Sequence, residues 1–443
     1  MASTLKAVRV LEESQVSPPS DTSSRVSLAL NFFDFIFMCE PPVRCVFFYP
    51  FPHPTANFIV SVLPALKSSL SATLRDFHPL AGRTRPSPES SAHKLEIRYE
   101  DGDSVPFTVV ENDDTEFEHV SSGHDLRRSK LQTLISYLPS HQYDDMPLLA
   151  VQVTVFPNKG FAVGVGISHV ACDWRSFLHF VRSWACSCRA GASVEPRPSF
   201  DRSMISFPES MSDPAVIKRF LETGPRAPPA QDVDDVDVVL ATLHFSKVDI
   251  ERLKQRVWTK AGDWSSFTVT CAHAWVSLVK ARGYDSHDKQ VVLNFTADCR
   301  ARLIPPTAPE YFGNCVKPCF ADALFHGKRY TELTAEDGVF IACDRIRKAI
   351  KQLEAGVHEG WERLAMLATA EKPMSVIGSP KFLSYDVDFG WGKPVKVEYL
   401  TVRTGSISLT DHPEEEGGIQ LGIALIESEM VKFRSVFSTA LEL

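Results

Sequence analysis

The sequence predicts an α/β protein of two similar-sized domains, each a mixed β-sheet flanked by helices. Apolar runs of strand length alternate with segments of helical periodicity along the 443 residues. A stretch rich in Pro, Ala and Asp over residues 191–237 separates the halves and is typical of a crossover loop. We therefore expect an N-terminal domain over residues 1–190 and a C-terminal domain over residues 238–443.

Several elements of the first half follow from their patterns. Val8–Val16 and Val43–Tyr49 are predicted strands, and Ile59–Leu74 carries apolar residues at the spacing of an amphipathic helix. Lys94–Tyr99 and Val105–Glu111 flank an Asp-Gly-Asp turn and predict a hairpin. A Gly-Asp-Ser fragment at this turn is more simply a turn than a lipase-type serine motif.

A second hairpin delivers the first candidate site residue. Val151–Val155 and Phe161–Ile167 are apolar runs split by a Pro-Asn-Lys-Gly turn, as in a buried hairpin. His169 follows the second run, and the pattern becomes helical after Asp173. An imidazole at a strand-to-helix transition is well placed for acid/base chemistry, although a lone histidine is also common in cores.

The second half has a similar mixture of strands and helices. The predicted elements are a strand Val238–Phe245, helices Lys247–Val257 and Ser265–Ala281, a strand Val291–Ala297, a mostly helical Thr331–Glu371, a strand ending at the glycine turn Val387–Gly392, a strand Gly418–Leu425 and a helix Glu429–Leu441.

Composition excludes several functional classes. The net charge of −8 and the pI of about 6.0 argue against a nucleic-acid partner. The ten cysteines show neither zinc-ligand spacing nor a disulfide framework, so we expect no metal and a reducing, cytoplasmic location. The sequence has neither a signal-peptide pattern nor a run long enough to span a membrane, so no membrane partner is expected, and we expect a monomer.

Two neighbours of His169 allow alternative chemistry. Cys172 could be a nucleophile, although a small buried thiol filling a turn is the simpler interpretation. Asp173 could orient His169 as in a catalytic triad, or it could be structural because the strand end points it elsewhere. A hydrolase is disfavoured because no Gly-x-Ser-x-Gly elbow precedes a helix.

Three motifs together resemble one enzyme family. HxxxD at His169–Asp173, YFGNC at Tyr311–Cys315 and DFGWG at Asp388–Gly392 stand in the order and rough spacing of the plant BAHD acyl-CoA-dependent acyltransferases. The resemblance covers nearly the whole chain, and YFGNC resembles the anthocyanin and phenolic-glucoside malonyltransferase branch. The family usually has Gly after the motif Asp, where this chain has Trp174.

The resemblance implies a fold and a reaction. The fold would be chloramphenicol-acetyltransferase-like, with a channel between the two domains. No cofactor would be bound, and an acyl-CoA, malonyl-CoA by the branch, would be the co-substrate. The acyl group would pass directly, in a ternary complex, to a hydroxyl of a phenolic or flavonoid glycoside. His169 would be the general base, because a free alcohol is a poor nucleophile near neutral pH.

The same resemblance favours structural roles at two motifs. It implies that Asp173 forms a structural salt bridge, which we assign to Arg300 or Arg302. Asp388 and Trp391 belong to a glycine-rich turn, which is more simply structural than catalytic.

Binding roles are expected from residue chemistry. Ser265 and Ser266 at a helix start, with Lys260 before them, suit the phosphates or pantetheine of CoA, although simple helix capping is equally plausible. Arg175 could bind the free carboxylate of malonyl-CoA through two hydrogen bonds, or it could be a solvated arginine. Alternatives are a hydroxycinnamoyl-CoA donor and a catalytically silent homologue that acts as a binding protein.

Overall fold

Three β-sheets organise the chain in the computed structural model. The structure describes residues 8–22, 25–38, 40–87, 95–113, 117–123, 125–138, 145–192, 195–209, 237–261, 263–283, 291–322, 331–364, 367, 370 and 372–442. The predicted crossover loop at 191–237 therefore lies largely outside the described residues.

The strands are, in chain order, β1 Arg9–Val16, β2 Arg25–Ala29, β3 Val43–Pro50, β4 Arg83–Pro86, β5 Leu95–Glu100, β6 Val105–Glu111, β7 Leu126–Arg127, β8 Met146–Pro147, β9 Leu149–Phe156, β10 Gly160–Ile167, β11 Val238–Phe245, β12 Val292–Asp298, β13 Val316–Asp322, β14 Met374–Gly378, β15 Lys396–Tyr399, β16 Ile407–Asp411 and β17 Ile419–Ile426.

The α-helices are α1 Phe32–Phe37, α2 Thr55–Asn57, α3 Leu63–Leu74, α4 Phe117–Ser121, α5 Arg128–Gln132, α6 Trp174–Ala190, α7 Lys247–Ala261, α8 Ser266–Arg282, α9 Thr331–Thr334, α10 Gly338–Lys351 and α11 Glu427–Glu442. A π-helical turn, Phe58–Val62, joins α2 to α3.

The predicted α/β architecture of two sheet-containing units is confirmed. A six-stranded sheet has the order β1-β6-β9-β10-β3-β15, and a seven-stranded sheet has the order β13-β12-β14-β16-β17-β11-β7. Both are mixed, because β6 pairs parallel with β9, and β14 pairs parallel with β12 and β16. A smaller antiparallel sheet has the order β2-β5-β4-β8.

Each large sheet takes a strand from the other half of the chain. β15 pairs with β3 at the edge of the six-stranded sheet, and β7 pairs with β11 at the edge of the seven-stranded sheet. The domain limits at 190 and 238 stay a prediction, but neither half contains all the strands of its own sheet.

The hairpin β9–β10 is confirmed and lies in the centre of the six-stranded sheet. Its register runs from Gly160 opposite Phe156 to Ile167 opposite Leu149, and every residue of both strands is buried. A strand covered on both faces has no polar side to alternate with, which explains the continuous apolar runs.

Two local predictions are wrong. β5 and β6 form where strands were predicted, but β5 belongs to the small sheet while β6 pairs with β1 and β9, so the two do not form a hairpin. The DFGWG turn does not end a strand, because within the described residues 372–400 two 3₁₀ turns, Pro380–Phe382 and Ser384–Asp386, separate it from β14. The prediction that Thr331–Glu371 is mostly helical is confirmed for its described residues, which form α9, α10 and 3₁₀ turns with a break at Gly356, whose φ is 121°.

The stretch Thr55–Leu74 is a continuous helical segment, long and apolar enough by length and composition alone to cross a membrane. Here its α3 part packs against α6, and the indole nitrogen of Trp184 donates to Leu66 O at 3.0 Å. Leu66, Leu70 and Leu74 are fully buried, as in the core helix of a globular domain.

Candidate active site

His169 lies two residues beyond the end of β10, in a tight turn that leads into α6. The N–H of Ala171 donates to Ser168 O at 2.9 Å, which closes the turn. The imidazole stacks on the ring of Phe37, with centroids 4.0 Å apart and planes inclined by 3°. Its Nδ1 atom is buried and has no well-formed hydrogen bond within the described chain.

The surroundings of His169 favour a neutral imidazole. Burial lowers its pKa below the ordinary value, and the carboxylates of Glu40 and Asp173 oppose that effect only in part. An imidazole that is neutral near pH 7 can accept a proton, which is what a general base requires.

Asp173 is committed to a buried ion pair. The two guanidinium nitrogens of Arg300 donate to its two carboxylate oxygens, at 2.9 and 3.1 Å, and both side chains are almost fully buried. The carboxylate also accepts from Ser176 N at 3.0 Å, as the N-cap of α6, and from Cys315 N at 3.1 Å. Each oxygen thus has two donors other than the ring of His169, and the geometry matches the structural role rather than a triad.

Arg300 ties α6 to the YFGNC segment. Beyond Asp173 it donates to Ser176 Oγ at 2.9 Å and to the carbonyl oxygens of Tyr311 and Gly313 at 3.1 and 3.2 Å. Arg302, the alternative partner of Asp173, is instead exposed and donates to Asp298 O. Only one of the two expected arginines therefore reaches the motif aspartate.

Asn314 is a site residue that the sequence reasoning missed. Its Nδ2 atom lies 2.8 Å from His169 O, 3.2 Å from Val170 O and 3.0 Å from Asp34 Oδ1. It thereby fixes the backbone of the turn at His169. Its position within the selective YFGNC block was the available signal.

Asp34 anchors this network to α1. Its carboxylate caps the helix with Asn31 in a reciprocal capping box, and Arg202 pairs with it at 2.5 Å. Asn31 also donates to the Tyr311 hydroxyl at 2.7 Å. The YFGNC segment, the turn at His169 and α1 therefore form one buried hydrogen-bonded unit.

Asp388 organises the DFGWG turn. Its Oδ1 accepts from the backbone N–H groups of Gly390 and Gly392 at 2.8 and 3.0 Å, and both glycines have positive φ. Its other oxygen pairs with Arg189 at 3.4 Å. These contacts are those of a structural turn, and none of them involves the turn at His169.

Aromatic packing fixes the same motif onto the N-terminal half. Phe389 is buried edge-on against Trp184 and Tyr49, with ring centroids 4.8 and 5.8 Å away. Trp391 packs edge-on against Phe161 of β10 at 5.9 Å. The motif therefore packs against β3, β10 and α6.

The expected CoA contacts lie at the start of α8. Ser265 is its exposed N-cap, and its Oγ accepts from Thr268 N at 3.1 Å. Ser266 is the half-buried first residue of the helix. The side chain of Lys260 lies outside the described part of the chain. The geometry shows helix capping, and CoA binding stays a prediction.

Arg175 already has partners. Its guanidinium pairs with Asp298 at 2.6 Å and donates to Pro309 O at 3.0 Å. The two nitrogens expected to hold a malonyl carboxylate are thus both hydrogen-bonded within the protein.

Trp174 fills space that a glycine would leave empty. Its ring lies 3.9 Å from the ring of Tyr399 in β15, and its indole nitrogen donates to the Tyr399 hydroxyl at 2.9 Å. The same hydroxyl lies 2.6 Å from Ser384 Oγ. Trp174 therefore joins the start of α6 to β15, the strand that the C-terminal half contributes to the six-stranded sheet.

Cys172 is a poor candidate nucleophile. It is fully buried, and burial raises its pKa well above the ordinary value. A thiol must ionise to attack a thioester, so this environment opposes catalysis by Cys172.

Comparison with known proteins gives a consistent family relationship. The profile of the Transferase family matches residues 6–440. The chain is 32% identical, over 98% of its length and 97% of the relative's, to malonyl-CoA:anthocyanin 3-O-glucoside-6''-O-malonyltransferase of Dahlia pinnata. It is also 32% identical to phenolic glucoside malonyltransferase 2 of Arabidopsis thaliana, with 98% and 99% covered. A third relative, coumaroyl-CoA:anthocyanidin 3-O-glucoside-6''-O-coumaroyltransferase 1 of Arabidopsis thaliana, is 31% identical, with 100% and 99% covered.

Solved structures share the fold. Vinorine synthase superposes with a TM-score of 0.72 at 20% identity, covering 96% of each chain. F. graminearum TRI101 in complex with coenzyme A and T-2 mycotoxin superposes with a TM-score of 0.69 at 15% identity, covering 93% of this chain and 97% of the other.

Proposed function

Because this chain belongs to the Transferase family of BAHD acyl-CoA-dependent acyltransferases, we propose that it moves a malonyl group from malonyl-CoA to a hydroxyl of a phenolic or flavonoid glycoside. The proposal rests on His169, a neutral imidazole just beyond the end of β10. Asn314 fixes the backbone at His169, and the motif carboxylate, Asp173, pairs with Arg300 instead of the imidazole. The enzyme class argues against the binding-protein alternative.

In this mechanism His169 acts as the general base. The imidazole removes the proton of the acceptor hydroxyl as the oxygen attacks the thioester carbonyl. The tetrahedral intermediate then collapses, the C–S bond breaks, and His169 returns the proton to the CoA sulfur. The pKa depression from burial keeps the base neutral at the start of each cycle.

The other residues take supporting roles. Asp173 and Arg300 hold the start of α6, and Asp388 and Trp391 hold the DFGWG turn. Ser265, Ser266 and Lys260 are proposed to contact CoA from the region where α8 begins. The cytoplasmic location, the monomeric state and the lack of a bound cofactor stay predictions.

The donor is proposed from the relatives. The names of two relatives at 32% identity specify malonyl transfer, whereas a coumaroyltransferase stands at 31%. A hydroxycinnamoyl-CoA donor is therefore the second candidate, and the Trp174–Tyr399 contact, absent where the family has glycine, is the feature that could reshape an acyl pocket.

The test is transfer by the purified protein. Malonyl-CoA, acetyl-CoA and coumaroyl-CoA are each supplied with a panel of flavonoid and phenolic glucosides, and products are identified by mass spectrometry. We expect malonylated glucosides in greatest yield, and sequential rather than ping-pong kinetics. Preferred coumaroyl transfer would replace the donor assignment, and transfer to none of the glucosides would remove the acceptor class.

Replacing the base is the matched chemical test. His169→Ala should lower kcat by about 10²–10⁴-fold, the usual contribution of a general base. Its circular dichroism and melting temperature should stay near those of the parent. A folded variant with activity within a few-fold of the parent would disprove the role of His169.

A further inference from the structure

No carboxylate in the described part of the chain accepts a hydrogen bond from the imidazole of His169. Each oxygen of Asp173 accepts from two donors other than the ring. Glu40, the other carboxylate that acts on His169, pairs with Arg403. Nδ1 is buried without a well-formed hydrogen bond in the described chain, so something other than a carboxylate must set the ring plane.

Phe37 covers one face of that ring. The two ring centroids are 4.0 Å apart and the planes differ by 3°, so the contact is flat. The Phe37 side chain is itself buried, with 9% of the residue exposed. A flat contact with a fixed neighbour prevents the imidazole from swinging about its χ2 angle, because any rotation drives its edge into the phenyl ring.

Phe37 is fixed in its turn by the helix that carries it. The capping box of Asn31 and Asp34 starts α1, and Asp34 accepts from Asn314 Nδ2 at 3.0 Å. The same Nδ2 atom lies 2.8 Å from His169 O. One end of α1 thus holds the backbone of His169, while the other end covers its side chain.

We propose that Phe37 is a positioning residue for His169. Its ring sets the plane of the imidazole so that Nε2, the nitrogen opposite the buried Nδ1, faces the acceptor hydroxyl. The inference rests on the proposed acyl transfer for its catalytic consequence, but the stacking itself can be tested without substrate.

Two effects of the stack act on the protonation of His169 in opposite directions. The face of a phenyl ring attracts an imidazolium, whereas the exclusion of water disfavours it. Burial is the largest influence on the pKa of His169, and Glu40, Asp173 and Asn314 act against it. Opening this face to water should therefore raise the pKa of His169 toward its ordinary value.

The variants follow from the helix. Phe37→Leu stays apolar but removes the flat ring, so that water can reach the uncovered face of the imidazole, and Phe37→Tyr keeps the ring. Phe35→Leu is the matched control, because Phe35 is a buried residue of the same helix that packs edge-on against Phe207 at 5.5 Å. Phe35→Leu should lose core packing without changing the pKa of His169.

Titration of His169 tests the stack in the absence of substrate. Histidine ring carbons are ¹³C-labelled, and the His169 signal is assigned by its loss in His169→Gln. Phe37→Leu should shift the titration to higher pH by a resolvable amount, while Phe35→Leu and Phe37→Tyr titrate like the parent. A Phe37→Leu titration that matches Phe35→Leu overturns the proposal.

Steady-state kinetics test the catalytic consequence. Phe37→Leu should lower kcat by about 10- to 100-fold, as a small misplacement of a catalytic group does. The KM for acyl-CoA should stay within two-fold, and the acidic limb of the kcat/KM profile should move to higher pH. A fall in kcat no larger than that of Phe35→Leu overturns the positioning role. Absence of any transferase activity together with a shifted titration removes the proposed function and leaves the stacking intact.

Discussion

At the scale of single residues, Arg175 shows that a side chain suited to binding a substrate carboxylate can already be paired within the protein. A guanidinium two residues beyond the motif aspartate suits a carboxylate by chemistry, but the structure gives that partnership to Asp298 and Pro309 O. To bind a malonyl carboxylate, Arg175 would have to give up these partners, and its role in donor selection stays a prediction.

We predict that Arg175→Ala lowers kcat/KM for malonyl-CoA and acetyl-CoA by the same factor. The lost pair is partly exposed, so the free energy of unfolding should fall by no more than about 1 kcal/mol. Specificity constants for both donors, measured with one acceptor, check this. A loss ten-fold greater for malonyl-CoA would restore Arg175 as the carboxylate ligand.

The buried pair Asp173–Arg300 is the opposite case, because the expected partner of Asp173 was either Arg300 or Arg302 and one of them does pair with it. Asp173→Asn should reduce the free energy of unfolding by about 3–5 kcal/mol together with activity, because it leaves the buried Arg300 with only the partly exposed Asp298, at 3.2 Å, as a counter-charge. Urea unfolding of Asp173→Asn, Arg300→Met and the double variant checks it. The two losses should be strongly non-additive.

Arg302→Met is the control for this cycle. Arg302 is exposed and donates to a backbone carbonyl, so its replacement should change stability by no more than about 0.5 kcal/mol. A stable but inactive Asp173→Asn protein would contradict the structural role and support the triad.

At the scale of elements, His273 joins two core helices of the C-terminal half. It lies in α8, its Nε2 is 3.1 Å from Phe437 O in α11, and burial lowers its pKa from 6.5 to about 4. The unfolded chain thus binds a proton at this residue below about pH 6.5, whereas the folded protein binds it only near pH 4. Stability that is present above pH 6.5 is lost as the pH falls.

The predicted slope is up to about 1.4 kcal/mol of unfolding free energy per pH unit in that window. His273→Gln keeps a donor for Phe437 O and removes the titration, so between pH 7.5 and pH 5 it should lose about 2 kcal/mol less than the parent. Urea midpoints at both pH values measure the difference. His53→Gln, at an exposed histidine, should behave like the parent, and equal pH dependence in all three would contradict the prediction.

At the scale of the whole molecule, each half contributes a strand to the sheet of the other half, and this makes the two halves interdependent. β15 completes the edge of the six-stranded sheet beside β3, and β7 extends the seven-stranded sheet beside β11. A buried apolar strand left at an open edge favours association with other chains.

We therefore predict that a fragment of residues 1–190 does not fold on its own. Without β15, the buried β3 becomes an open edge, so the fragment should be insoluble or lack fixed tertiary structure by near-ultraviolet circular dichroism. Co-expression with residues 191–443 should yield a soluble pair that purifies together. A monomeric 1–190 fragment with cooperative unfolding would show that the exchange is dispensable.

The sequence by itself determined the α/β class, the central hairpin β9–β10, the helix after Asp173 and the position of His169 at a strand end. These features depend on hydrophobic periodicity and on apolar runs, both of which are visible in the order of the residues. The family motifs likewise stand in the order of the chain, and they are sufficient to name the enzyme class.

Only the tertiary structure decided which strands pair and which side chains meet. β5 and β6 are neighbours in sequence but enter different sheets, because pairing depends on which edges and faces remain to be covered rather than on turn residues. Asn314 meets His169, Arg300 rather than Arg302 meets Asp173, and Phe37 stacks on the imidazole across long sequence separations. Motifs can mark the residues that take part, but which side chains meet depends on how distant segments pack as the chain folds.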